Sequence, residues 1–139
     1  MKRSRHSIVV ITVLLLTGCM ATTPVNIAGG GTQLETRQIQ TRQYDTLDKA
    51  MTMRSVVATL QDLGFTIDQA DAELGTITAT RLHEYTMRMT VTVVKKDGNR
   101  VSVRANARIG EQPVTDAKTY QDFFVVLDKA MYLTGQKLG

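Results

Sequence analysis

The sequence is poor in the residues that most often carry chemistry. Its 139 residues include one cysteine, two prolines, two histidines and no tryptophan, and aromatic side chains make up only 5%. A lone thiol cannot close an intramolecular disulfide, so the fold has to stand on packing. Beyond His6 the only imidazole is His83, which leaves no His/Cys set with the spacing of a zinc site. His83 beside Glu84, between two strand patterns, reads as a solvated turn histidine. Ser55 and Ser102 lie in no nucleophile-elbow context. Asp62, Asp68, Asp71 and Glu73 could gather at one end of a sheet, but no loop alternates oxygen ligands as a calcium site does. A solvated acidic rim is the expectation there. No catalytic residue and no metal ligand is expected anywhere, so the chain does not read as an enzyme.

Long apolar runs are also missing, with one short exception. Ile8 to Leu16 (IVVITVLLL) follows MKRSRHS, which carries Lys2, Arg3 and Arg5 and no acid. This is the charged and then apolar pattern of a secretory signal. It falls short of the roughly 20 residues a membrane span needs. Directly after it stand Leu16, Thr17, Gly18 and Cys19. These four residues resemble the lipobox of bacterial lipoproteins: an aliphatic residue, two small ones and a cysteine. The resemblance implies cleavage after Gly18, a diacylglycerol on the Cys19 sulfur and an acyl chain on its new amino terminus. No other cofactor is expected. Each buried methylene contributes about 0.8 kcal/mol and a single chain holds only marginally, so several chains together give stable anchoring. Met20 stands where an aspartate would imply retention in the inner membrane. By that resemblance the protein is anchored to the outer membrane and faces the periplasm.

The charge balance changes with the leader. The formal net charge of +4 includes Lys2, Arg3 and Arg5; without them 14 bases face 13 acids, a net of +1. Nucleic-acid binding thereby loses its compositional support. Residues 21–33 (ATTPVNIAGGGTQ) read as a flexible tether. Gly29 to Gly31 lack the Lys-Ser/Thr of a phosphate loop. The chain thus divides into a signal peptide (1–18), a lipidated tether (19–36) and one periplasmic domain (37–139).

Within that domain, Arg37 to Tyr44 reads as a polar first strand. Asp45 or Thr46 can cap a helix running to about Leu63, with Leu47, Ala50, Met51, Val57 and Leu60 on one side and Gly64 as its stop. Phe65 and Ile67 open a second strand, ADAEL turns it, and Ile77 and Ala79 continue in a third. Around KKDGN two runs alternate: Tyr85, Met87, Met89, Val91, Val93, then Val101, Val103, Ala105, Ala107, Ile109. A two-residue Asp97-Gly98 turn would pair Val93 with Ser102 and split the apolar sets between faces. A three-residue loop, Lys96-Asp97-Gly98, pairs Val93 with Val101 and Tyr85 with Ile109 and keeps them together. Tyr120, Phe123, Phe124, Leu127, Ala130 and Met131 then form a helical stripe, with Thr119 and Asp122 placed like a capping box. The expected fold is α+β: an antiparallel sheet of four to five strands with two helices on one face, in the order strand, helix, four strands, helix.

The other sheet face should be polar. Arg88, Arg104 and Arg108 fall there among Thr86, Thr90, Thr92, Ser102 and Asn106, with Arg104 opposite Thr90 and Arg108 opposite Thr86. No acid occurs among these positions, so the face should be cationic. It is either an ordinary solvated face or a docking surface for an acidic protein or a glycan. Met51, Met53, Met87, Met89 and Met131 could line a ligand groove, although core filling is their commoner use.

RQIQTRQYDT, LQDLGF and GTITATR, over residues 37–81, are similar to a pattern in small Gram-negative outer-membrane lipoproteins. The element order resembles the helix-grip domains of the accessory lipoprotein of the outer-membrane barrel assembly machinery. The expected function is a non-catalytic accessory or assembly subunit of an envelope complex, with the polar sheet face, through Arg88, Arg104, Arg108 and Thr90, as the surface that meets a protein partner. A small-ligand or lipid-binding module with its groove under the last helix is a second reading. A periplasmic enzyme inhibitor using the 110–118 segment (GEQPVTDAK) is a third.

Overall fold

Period-two alternation builds the centre of the molecule. A computed structural model describes residues 32–137, so Gly18, Cys19 and the glycine run lie outside the described residues. β4 (Thr86–Lys96) and β5 (Arg100–Ile109) form a long antiparallel hairpin. Met87, Met89, Val91 and Val93 on one strand, and Val101, Val103, Ala105 and Ala107 on the other, are buried. β3 (Thr76–Leu82) pairs with β4, and β2 (Thr66–Asp71) with β3. β1 (Thr41–Tyr44) pairs with β5, giving the order β1-β5-β4-β3-β2. A two-residue β6 (Gln112–Pro113) lies against the other end of β5, so two short strands share its edge.

Among the described residues three helices accompany the sheet: α1 (Gln33–Ile39), α2 (Lys49–Asp62) and α3 (Ala117–Lys137). The core gathers Met53, Val56 and Leu60 of α2, Tyr120, Phe123, Phe124 and Leu127 of α3, and the inward residues of β3, β4 and β5. Each large apolar side chain so buried contributes about 1.5–3 kcal/mol. Both long helices therefore lie on one sheet face, and the α+β architecture is the one expected.

Several elements differ from expectation. Residues 37–44 are not one strand. Thr32 caps α1 in a full capping box: its hydroxyl accepts from Glu35 N at 3.3 Å, and its own N–H donates to the Glu35 carboxylate at 2.7 Å. The first turn of α1 thus lies inside the stretch read as tether. Asp48, rather than Asp45 or Thr46, caps α2, accepting from Met51 N at 2.7 Å. The core face of α2 keeps Met51, Leu60 and, in part, Val57 from the expected stripe, but Leu47 is 58% exposed and Ala50 is exposed, while Val56, Thr52, Ser55 and Thr59 are buried. Asp116, rather than Thr119, closes the start of α3, accepting from the Thr119 N–H at 3.0 Å. That bond, followed by one from Lys118, holds the Asp116 carboxyl below the usual carboxylate range. Asp122 instead pairs with Lys118 at 2.6 Å and raises the Lys118 ammonium above its ordinary value. As expected, Gly64 ends α2 in the left-handed region, with φ of 80°.

The hairpin keeps the expected loop length and faces but not the register. The loop is Asp97-Gly98-Asn99, between paired Lys96 and Arg100. Gly98 and Asn99 both have positive φ, 73° and 63°, and asparagine tolerates this better than most residues. Moving the loop one residue along the chain slides the ladder by two. Val93 therefore pairs with Val103, Met87 takes the place of Tyr85 opposite Ile109, and Tyr85 is exposed.

Candidate interaction surface

With both long helices on one side, the outward side chains of the six strands form a face that no helix among the described residues covers. Three rows cross it. The first is Asp71, Thr76, Thr92, Arg104 and Thr41; the second is Gln69, Thr78, Thr90 and Asn106; the third is Thr66, Thr80, Arg88, Arg108 and Pro113. Threonine fits because its β-branch suits a strand while its hydroxyl serves the wet side. Thr90 lies opposite Asn106, not Arg104; Arg104 faces Thr92 and Arg108 faces Arg88. The expected residues do share one face, but two arginines meet directly across the ladder.

The face is also less uniformly cationic than β4 and β5 alone suggest, since Asp71 of β2 stands in the first row and two further acids reach it. Gly110, with φ of 57°, turns the chain after β5 and brings Glu111 back over it. Arg108 Nη2 donates to the Glu111 carbonyl at 2.8 Å and to its carboxylate at 3.2 Å. At the other edge a bulge in β2 between Ile67 and Gln69 presents Asp68, which accepts from the Thr80 hydroxyl at 2.6 Å. Neither acid lies in the alternating pattern that marks the outward positions, and only the turn and the bulge deliver them. Arg88 and Arg104 are exposed and form no ion pair or side-chain hydrogen bond among the described residues.

Two buried or half-buried knots hold this face in position. The Tyr120 hydroxyl donates to the Val114 carbonyl at 2.6 Å and accepts from Ala107 N at 3.2 Å and Gln40 Nε2 at 3.1 Å. It thereby ties α3 to β5, to the residue after α1 and to the segment after β6. At the β1 edge, Asp128 of α3 pairs with Arg42 and accepts from the Tyr44 hydroxyl at 2.8 Å. The Arg42 guanidinium lies over the Phe124 ring, 4.8 Å from its centroid. Burial, and then the bond to Asp128, push the Tyr44 hydroxyl well above its ordinary pKa.

The remaining candidates do not converge. His83 and Glu84 are exposed in the β3–β4 turn, Ser55 is buried in α2, and Ser102 lies on β5. Met51, Met53, Met87 and Met89 are core residues. Tyr120, Phe123, Phe124 and Leu127 fill the space beneath α3. Two apolar depressions lie beside α2, about 510 and 360 Å³, sharing Ala50, Met53 and Ala72 as lining, and one of about 610 Å³ lies between α2 and α3, lined by Ser55, Ala58, Val126, Ala130 and Leu133 among others. The 110–118 segment is pinned: Val114 N donates to the Ala107 carbonyl at 2.9 Å, and its own carbonyl is held by Tyr120. Among the described residues no group of three His, Cys, Asp or Glu side chains is placed to hold a metal ion, and no helix is long and apolar enough to cross a membrane.

No protein-family model matches the chain. No curated protein is significantly similar to it.

Proposed function

We propose that this chain is a lipoprotein anchored to the outer membrane through Cys19, whose periplasm-facing domain is a non-catalytic accessory or assembly subunit of an envelope complex. The observation that carries the reading is the uncovered Thr/Arg face, where Arg88 and Arg104 have no partner among the described residues. Guanidinium groups present forked donors that a carboxylate can satisfy. A docking surface of this kind needs no pocket, and the lipidated tether would supply reach. A small apolar ligand is a second reading, favoured by the trough along Ala50, Met53, Val57, Ala70 and Ala72.

Crosslinking and pull-down from intact envelopes test the first reading. Wild-type protein should recover a discrete partner, and Arg88→Glu with Arg104→Glu should lose it while folding and membrane fractionation stay unchanged. Equal recovery of that partner by both proteins would overturn the role of the face. A Cys19→Ser chain that still fractionates with membranes would overturn the anchor.

A further inference from the structure

Arg88 and Arg108 are direct cross-strand partners on the outward face, which places their Cβ atoms roughly 5 Å apart. Like charges in that relation oppose strand pairing. One acid answers the two: Glu111 engages Arg108 through its carbonyl and its carboxylate. Among the described residues Arg88 has no counter-charge within ion-pair distance, and Asp68, toward the far edge of the sheet, is engaged by Thr80. Beside the pair lies a depression of about 400 Å³ walled by Thr86, Arg88, Thr90, Arg108, Gly110 and Glu111. It holds an excess of donors and is one negative charge short.

Deepening the reading above, and resting on it, we infer that the Arg88–Arg108 pair clamps a side-chain carboxylate of an acidic, extended segment of the partner protein, and that Arg104 takes a second carboxylate of the same segment. Arg104 and Arg108 are four residues apart on β5, about 13 Å along the strand. An extended segment presents same-side residues four positions apart over the same distance. Between the two cationic points, Thr90 and Asn106 form the intervening cross-strand pair, offering a hydroxyl and an amide to the segment's backbone. A sugar suits the face less, because the three rows contain no aromatic ring for it to stack on. A single phosphate would satisfy the pair but not the spacing. Glu111 competes with the incoming carboxylate for Arg108, so its removal strengthens binding.

The test titrates the full chain, in detergent micelles, with a fluorescent Ser/Thr/Val peptide carrying two glutamates four positions apart. Companion peptides carry the glutamates two positions apart or replaced by glutamine, and inorganic phosphate serves as competitor. Removing one Arg–carboxylate pair, by Arg88→Gln, by Arg108→Gln or by glutamine in the peptide, should weaken binding about tenfold. Glu111→Gln should tighten it, and salt should weaken it. Equal binding of the three peptides, no effect of Arg88→Gln, or complete displacement by phosphate at the peptide's own concentration overturns the inference. The peptide substitutions need no protein variant, so a misfolded mutant does not block the test. Failure to bind any peptide, while the envelope crosslink still depends on Arg88 and Arg104, removes the carboxylate clamp and leaves the docking surface standing. Spacing-dependent peptide binding without an envelope partner upholds the clamp and removes the complex.

Discussion

Replacing Tyr120 by phenylalanine keeps the buried ring and deletes one oxygen, so the loss in stability isolates the hydroxyl. That oxygen makes three hydrogen bonds, to Val114 O, Ala107 N and Gln40 Nε2. Ala107 is buried, and its N–H would be left without an acceptor. An orphaned buried group costs about 1–3 kcal/mol, and each hydrogen bond removed from a group that regains water costs about 0.5–1.5 kcal/mol. Val114 is only partly buried and can recover water, whereas Gln40 is 7% exposed and recovers little. The sum is about 2–6 kcal/mol, a large share of a stability of roughly 5–15 kcal/mol. Urea unfolding should show a lower midpoint with an unchanged slope, and the melting temperature should fall by about 10 °C or more. Adding Gln40→Met to Tyr120→Phe should cost less than the sum of the two single changes, because they share a bond. A decrease below about 0.5 kcal/mol for Tyr120→Phe, or strict additivity with Gln40→Met, would refute the claim that this hydroxyl joins the three elements.

Other outcomes follow from named positions. At Gly75, φ is 71°, and an added Cβ would meet the Val93 carbonyl oxygen and sit 2.7 Å from Lys49 Cε, so Gly75→Ala should cost about 3 kcal/mol in urea unfolding. Gly135 lies in α3 with nothing within 4 Å of the added carbon, so Gly135→Ala should leave stability unchanged or raise it by about 0.5–1 kcal/mol. The folded state binds the Tyr44 phenol proton more tightly than the unfolded state does. Its contribution is therefore fully present below the ordinary value of 10.0 and is lost as pH rises beyond it toward the folded value. Unfolding free energies measured across the alkaline range, up to and past that ordinary value, should decline at the high end, and less so in Tyr44→Phe.

What could be read from the sequence depended on the range of the signal. The faces of β4 and β5 were legible because alternation sustained along both strands fixes which side is buried. Their register was not, since Lys96-Asp97-Gly98 and Asp97-Gly98-Asn99 are both three-residue loops and both preserve the faces. Only the left-handed tolerance of Asn99 favours the second. The start of α1 was missed, although Thr32 and Glu35 make a capping box, because the glycine run before them read as the beginning of a tether. The start of α2 turned on Asp48 outcompeting Asp45 and Thr46 as cap, a choice among three good candidates. At the candidate surface the three arginines were found because they sit in phase with the strands. Glu111 and Asp68 were missed because a left-handed turn and a bulge carry them there, and neither obeys a period.

The division of one edge of β5 between β1 and β6 also decides how the molecule bears tension. A pull applied at Thr32 acts on α1, which contributes no buried residue. Unwinding its seven residues lengthens the line by about 13 Å, the difference between helical and extended rise. Strain then arrives at Gln40, whose carbonyl is bonded to Ala105 N at 2.9 Å and whose amide is bonded to Tyr120. The load passes into the middle of the sheet and the long helix together instead of peeling a strand from its end. Under such a pull α1 would extend before Gln40 passed the load to β5 and α3.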